Sequence, residues 1–172
     1  MSTTEVEVYS DASWCADNSI SGGIILYRNC PVHWWSRRQK SISSSTAQAE
    51  IFAAALASRE TLFVRDLLED LGFSVTAPTP LHLDNTAAID LALDPVAFKK
   101  TKHILRHTHE LRDLVARRFF QPVFVPSDQQ LADILTKGLR TAPHWSFIDH
   151  LLHTTASPSV MPAPASVAPN VT

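Results

Sequence analysis

The alternation of apolar and polar residues predicts three consecutive strands at the start of the chain. Residues 5–10 (EVEVYS) alternate with a period of two and run into Asp11, where we expect the first strand to end. Two further β-rich runs cover residues 20–28 (ISGGIILYR) and 31–38 (PVHWWSRR), and only two residues separate them. Such a short connection favours a tight antiparallel hairpin.

The period of the apolar positions changes to 3.6 residues after Thr46, which predicts a helix of about seven turns that ends at Gly72. After a proline-bearing loop, residues 81–84 (LHLD) predict a fourth strand, and residues 85–93 predict a helix. The long helix carries one apolar stripe, formed by Phe52, Leu56, Phe63, Leu67 and Leu71.

A basic helix is predicted for residues 99–118. The net charge of −2 does not by itself indicate a nucleic-acid binder, but nearly half of the 15 basic residues lie in this segment, against only Glu110 and Asp113. The apolar line of the helix is Ile104, Leu111 and Val115. Its basic residues are Lys99, Lys100, Lys102, Arg106, Arg112, Arg117 and Arg118.

The remaining elements are a fifth strand at residues 119–126 (FFQPVFVP) and two shorter helices. Ser127 and Gln130 have the spacing of a capping box, which predicts a helix over residues 129–137 that a glycine closes. A short amphipathic segment covers residues 145–152. The order β-β-β-α-β-α-α-β-α joins an antiparallel meander to strands reached through helices, so we expect an α/β fold with a mixed sheet and flanking helices.

The composition is that of one globular domain, with 172 residues, 45% apolar and 19% charged. We assign residues 1–152 to this domain and expect residues 153–172, rich in Pro, Ala and Ser, to be a disordered tail. There is no run of 18 apolar residues and no signal-peptide pattern, so we expect a soluble intracellular protein without a membrane partner. Cys15 and Cys30 are then expected to be free thiols.

Four acidic residues stand where a purely structural role is least natural. Asp11 and Asp84 follow the first and fourth strands, which can be central neighbours in a mixed sheet, and helices bring Glu50 and Asp133 to the same edge. Carboxylates packed together repel, and hard divalent cations relieve that repulsion. Taken singly, each acid also has a structural interpretation as a cap, turn or surface residue.

Five segments around these acids resemble the ribonuclease H domain of copia-type LTR retrotransposon polyproteins. The segments are YSDASW, SISSSTAQAE, HLDNTAAI, KKTKHILRH and VPSDQQLADILTKGL, in the order that family shows, from about Tyr9 to Leu139. The resemblance implies the ribonuclease H-like fold with a five-stranded mixed sheet. It also implies hydrolysis of the RNA strand of RNA–DNA hybrids to 5′-phosphate and 3′-hydroxyl ends, as in reverse transcription.

The resemblance places the catalytic and metal-binding acids on Asp11, Glu50, Asp84 and Asp133, with two Mg²⁺ ions as cofactor and Mn²⁺ as the alternative. The implied partner is the hybrid, together with the reverse transcriptase part of the same polyprotein. We expect a monomer that is cytoplasmic, in a virus-like particle, or nuclear. Residues expected to contact the substrate are Ser44, Ser45, Thr46, Gln48, Asn85, Lys99, Lys100, Lys102 and Arg106.

The sequence departs from the family pattern at a few positions that bear on substrate binding. The usual second Asp after Asp11 is Ser13, and Trp35 replaces a small polar residue. Other functions stay open: a degenerate or host-recruited module that binds hybrid without cleavage, another nuclease or integrase-like core of the same superfamily, and a purely structural interaction domain, which would show no metal dependence. An integrase core normally uses three acids, and the presence of a fourth, Asp133 in the segment VPSDQQLADILTKGL, argues against it.

Overall fold

The computed structural model describes residues 6–15, 17–93 and 105–152. The strands are β1 (Val6–Ser13), β2 (Ile20–Tyr27), β3 (Cys30–Arg38), β4 (Thr79–Leu83) and β5 (Phe120–Phe124). The α-helices are α1 (Thr46–Asp70), α2 (Thr86–Leu93), α3 (Leu105–Ala116) and α4 (Thr141–Leu152). Two short 3₁₀ helices, Ser127–Gln129 and Leu131–Leu135, lie between β5 and α4.

The five strands form one mixed sheet in the order β3-β2-β1-β4-β5, which confirms the predicted fold class. β1 pairs antiparallel with β2 and parallel with β4, so β1 and β4 are central neighbours that end at the same edge. The pairing of Tyr9 with His82 sets the register, which places Asp11 and Asp84 at equivalent positions two residues farther on.

Asp11 does not end its strand, and this part of the sequence prediction is wrong. The residue pairs with Gly22 inside the sheet, and β1 continues to Ser13. The predicted hairpin is present, with Arg28 and Asn29 at positive φ angles of 50° and 63° in its turn. A turn whose two central residues have positive φ has a backbone twist that matches the right-handed twist of the flanking strands, so two residues are enough to connect them.

Helix α1 buries a different face from the predicted apolar stripe. Phe63, Leu67 and Leu71 are exposed by 63%, 46% and 63%. The buried face carries small residues along much of its length, which bring the helix close to the sheet; its core members are Ile51, Ala54, Ala57, Val64 and Leu68. Both faces have a helical period, so periodicity alone could not decide which one packs on the strands.

The two faces of the sheet are covered by different helices. Trp35 is buried whereas Trp34 is exposed by 61%, as expected from side chains that alternate along a strand. The Trp35 ring lies over Gly23, where a side chain would collide with it. On the opposite face, α4 and the second 3₁₀ helix cover β2 through Ile24, Leu26, Leu131, Phe147 and Leu151.

The predicted helix over residues 129–137 is also wrong, because the chain forms the two 3₁₀ helices there. Gln130, expected to complete a capping box, is fully buried and acts as a tertiary anchor instead. Its Nε2 donates to the Ser10 carbonyl at 3.1 Å, and its Oε1 accepts from the Ala132 amide at 3.2 Å. The bond to Ser10 holds the segment against β1, and the bond to Ala132 caps the second 3₁₀ helix.

The two cysteines agree with the sequence prediction. Cys15 and Cys30 are free and exposed. Among the residues with described coordinates, none of the helices has the length and apolar character required to cross a bilayer. Residues 94–104, which include Ile104, and the predicted tail at residues 153–172 lie outside the described residues.

Candidate metal centre

Three carboxylates meet at the edge of the sheet where β1 and β4 end. Asp11 and Glu50 are exposed by only 1% and 3%, whereas Asp84 is half-buried. One oxygen from each of the three residues lies within 4.8 Å of the other two. The structure thus brings together three of the four acids that the sequence singled out.

The first turns of α1 place Glu50 in this cluster. Ser45 caps the helix by accepting a hydrogen bond from the Gln48 amide at 3.2 Å. Ala49 and Ala53 then pack on Ala12 of β1, and these small side chains let the helix lie directly on the strand. Glu50 therefore faces Asp11 and accepts a hydrogen bond from the Ala12 backbone.

The electrostatics of the cluster favour a bound cation. Burial, followed by the nearby charges of Asp11 and Asp84, raises the pKa of Glu50 to about 9. Oε2 of Glu50 is buried and has no hydrogen-bond partner. Three carboxylates at this spacing, one of which has an oxygen without a hydrogen-bond partner, fit a hard divalent ion such as Mg²⁺.

Asp133 lies beside this cluster but outside the group of three. It is buried in the second 3₁₀ helix, and burial raises its pKa. Lys137 connects the two parts, with Nζ 2.8 Å from Asp133 Oδ1 and 3.3 Å from Asp11 Oδ1. Burial opposes the charge on Lys137, but the hydrogen bond to Asp133 and the neighbouring acids outweigh that effect and raise its pKa.

Comparisons with known proteins agree with this geometry. No family model matches the chain. The chain is 33% identical over 161 residues to the retrovirus-related Pol polyprotein from transposon RE1 of Arabidopsis thaliana. The alignment covers 91% of this chain and 11% of that polyprotein. The corresponding polyprotein from transposon RE2 of the same plant is 33% identical over 84% of this chain and 10% of its own length.

Solved structures show the same architecture. LC11-RNase H1 in complex with RNA/DNA hybrid has a TM-score of 0.59 and 15% identity, covering 76% of this chain and 93% of that one. The N-terminal RNase H domain of a Mycobacterium tuberculosis protein has a TM-score of 0.55 and 12% identity, covering 84% and 96%. The chain is a homologue of copia-type retrotransposon Pol polyproteins and has the ribonuclease H fold. It spans about a tenth of the length of these polyproteins.

Two hydroxyl groups that the sequence reasoning missed hold the acids of this ribonuclease H fold. The Thr136 hydroxyl donates a hydrogen bond to Oδ2 of Asp11, and the Ser127 hydroxyl donates to Oδ2 of Asp84 at 3.0 Å. Lys137 was missed as well, although its spacing of four residues from Asp133 was a usable signal. No local pattern pointed to Thr136, because its partner is 125 residues away in the chain.

Gly22 allows the second 3₁₀ helix to lie close to the acids. A Cβ atom at this position would be 2.6 Å from Cγ2 of Thr136 and 2.9 Å from Cβ of Leu135. Because Gly22 is also paired with Asp11 across the sheet, the absence of its side chain lets Thr136 reach that carboxylate.

Five of the residues expected to contact substrate lie at the amino-terminal end of α1 and the start of α2, namely Ser44, Ser45, Thr46, Gln48 and Asn85. Gln48 Oε1 accepts from both the amide and the hydroxyl of Ser44, at 2.8 and 2.7 Å, so these side chains stabilise the helix end. Asn85 Oδ1 accepts from the Ala88 amide at 3.2 Å and stabilises α2. Thr46 is the first residue of α1, and Arg106 is exposed at the start of α3. Lys99, Lys100 and Lys102 lie outside the described residues.

Proposed function

We propose that this domain is an endoribonuclease that hydrolyses the RNA strand of RNA–DNA hybrids during retrotransposon reverse transcription. The observation that carries the proposal is the cluster of Asp11, Glu50 and Asp84, whose oxygens lie within 4.8 Å of one another. A buried carboxylate cluster of this kind is costly without a cation and is suited to phosphoryl chemistry with one. The ribonuclease H fold and the polyprotein homologues support the same substrate class.

The proposed cofactor is a pair of Mg²⁺ ions, with Mn²⁺ as the alternative. Asp11, Glu50 and Asp84 would hold the ions, and Asp133 would complete the set from the second 3₁₀ helix. Two such ions would supply an activated water and would stabilise the leaving oxygen of the RNA backbone. Breaking the bond between phosphorus and the 3′ oxygen leaves a 3′-hydroxyl and a 5′-phosphate.

The chain's own residues would orient the acids and the substrate. Thr136 and Ser127 fix the rotamers of Asp11 and Asp84 through their hydroxyl groups, and Lys137 balances charge between Asp11 and Asp133. The proposed RNA contacts are backbone amides and hydroxyls at the start of α1, which suit phosphate and 2′-hydroxyl groups. These contacts involve Ser44, Ser45, Thr46 and Gln48, with Asn85 beside Asp84 and further phosphate contacts from Lys99, Lys100, Lys102 and Arg106.

The polyprotein homologues also suggest where the domain works. We infer that it acts beside the reverse transcriptase part of the same polyprotein and as a single copy, in a cytoplasmic virus-like particle or in the nucleus. Recognition by duplex geometry and 2′-hydroxyls predicts little base specificity.

A cleavage assay with end-labelled nucleic acids tests the proposal. The wild-type chain should cut the RNA strand of a hybrid when Mg²⁺ is present and should leave duplex DNA, duplex RNA and single strands intact. Product analysis should find 5′-phosphate and 3′-hydroxyl ends. Tight binding of hybrid without cleavage, with either Mg²⁺ or Mn²⁺, would instead support a binding module and would refute the catalytic proposal.

A further inference from the structure

A groove of about 370 Å³ lies between the end of β3, helix α1 and helix α3. The basic residues of the groove come from two parts of the chain. Arg37 and Arg38 end β3 and Lys40 follows in the loop, whereas Arg59 belongs to α1. Phe52 and Leu56 form its apolar floor, and the ring of His107 from α3 packs edge-on against Phe52 with the ring centres 4.8 Å apart. None of the residues already assigned to the acids or to the start of α1 lines this groove.

Two of the four cations in the groove have acidic partners and two do not. Arg37 pairs with Glu60 at 2.6 Å, and both carboxylate oxygens of Glu110 accept hydrogen bonds from Arg59. Arg38 and Lys40 are exposed and form no ion pair with any residue that the structure describes. The groove therefore has uncompensated positive charge on a chain whose net charge is −2.

The groove opens at the catalytic end of the sheet. β3 runs parallel to β1, because each strand is antiparallel to β2, and Asp11 is aligned through Gly22 with Ser36. Arg38 thus lies two strands across and two residues beyond Asp11, which corresponds to about 12 Å between their Cα atoms. One strand of a duplex carries a phosphate about every 3.4 Å of axis, so the groove is within about four nucleotides of the acids.

Gln39 fixes the loop that carries Arg38 and Lys40. Its Nε2 donates to the Ser21 hydroxyl and to the carbonyl of Ala49, both at 2.9 Å, and Ala49 immediately precedes Glu50. The Ser43 hydroxyl donates to Oε1 of Gln39 at 2.7 Å. The loop is therefore held in a defined position relative to the acids, as a preformed binding surface requires.

We propose that this groove binds the sugar–phosphate backbone of the hybrid a few nucleotides from the cleavage site. The unpaired charges of Arg38 and Lys40 would contact phosphates, and the floor of Phe52 and Leu56 would contact the sugars between them. The inference rests on the proposed function for the identity of the duplex. It adds a second point of contact, separate from the start of α1, that fixes the direction in which the duplex crosses the acids.

Salt-dependent binding tests the groove without relying on cleavage. Fluorescence anisotropy in EDTA would measure the Kd of a labelled RNA–DNA hybrid for the full chain and for the double variant Arg38→Ala with Lys40→Ala. Each lost phosphate contact should flatten the slope of log affinity against log salt by about 0.7 to 0.9. For two lost contacts, the ratio of the double variant's Kd to the wild-type Kd should then fall about tenfold as the salt concentration rises from about 50 to about 200 mM.

A matched control removes two charges at the other end of the sheet. Arg28→Asn, in the β2–β3 turn, combined with Arg117→Gln, after α3, causes the same change in net charge and should leave the slope within error of the wild type. Asn tolerates the positive φ of residue 28, so the control should fold. Arg38→Glu with Lys40→Glu should weaken binding beyond the alanine variant.

The outcomes separate the groove from the catalytic proposal. If the wild type cleaves hybrid but the alanine and glutamate variants keep its salt slope, the groove is not a contact and the proposal is overturned. Equal flattening in the control and in the groove variants would show a general charge effect and would also overturn it. If the wild type does not cleave, the catalytic proposal fails, while the slopes still report on the groove.

Discussion

Glu50 makes the stability of the metal-free protein depend on pH. Its pKa is raised from 4.5 to about 9, chiefly by burial and then by Asp11 and Asp84. Between these values the folded protein retains a proton that the unfolded chain releases, so the free energy of unfolding falls as the pH rises. The slope is up to about 1.4 kcal/mol per pH unit. The contribution is complete below the unfolded pKa and is lost as the pH rises through the folded one.

Glu50→Gln should remove this slope, because an amide resembles the protonated acid and does not titrate. Between pH 6 and pH 8, the free energy of unfolding of the variant should rise relative to the wild type by up to about 2.7 kcal/mol. For a chain of this size that difference corresponds to about 5–10 °C in Tm. Urea and thermal unfolding in EDTA, followed by circular dichroism at pH 6, 7 and 8, would measure it.

Glu69→Gln is a matched control on the same helix, since Glu69 is exposed near the end of α1. It should keep the wild-type pH dependence. Added Mg²⁺ should stabilise the wild type more at pH 8 than at pH 6, because the ion competes with the proton for the carboxylate. If Glu50→Gln and the wild type have parallel stability curves in EDTA, Glu50 is not held protonated and the electrostatic account of the cluster is wrong.

Three further substitutions have defined outcomes. Asp84→Asn should abolish hybrid cleavage and raise the Tm of the metal-free protein, because the amide keeps the shape but removes one repelling charge; activity within about tenfold of wild type would contradict this. Gly22→Ala places a Cβ 2.6 Å from the Thr136 side chain and should lower the free energy of unfolding by about 1–3 kcal/mol, measured by urea unfolding, with reduced cleavage. Arg65→Met removes two hydrogen bonds to the segment before β4 and one to Thr79 at its start, and should cost about 1–3 kcal/mol in the same assay, whereas the turnover rate at saturating hybrid should stay unchanged.

The sequence was sufficient to predict the centre of the sheet and most of the acidic cluster. A meander of three strands followed by strands reached through helices restricts which strand ends can coincide. That restriction placed Asp11 and Asp84 side by side, and their observed register agrees with it. In the structure the small residues Ala54 and Ala57, near Glu50, are fully buried where α1 packs on the sheet.

The errors come from contacts that are distant in sequence. The stripe through Phe63 and Leu67 has the same period as the buried face of α1, and only the close approach of the sheet to the small residues selects between them. Gln130 has the spacing of a helix cap, but its bond to the Ser10 carbonyl spans 120 residues and determines the local structure. Lys137 reaches Asp11 across 126 residues, which no local pattern encodes.

Anomalous diffraction from crystals soaked in Mn²⁺ is the most direct test that the carboxylates form a metal centre. We expect an anomalous peak within coordination distance of Asp11, Glu50 and Asp84, with a second peak toward Asp133 when a short hybrid is bound. The peak at the three acids should be lost in crystals of the Asp84→Asn variant. Wild-type crystals without a peak at these acids, in Mn²⁺ concentrations that support cleavage, would contradict the account.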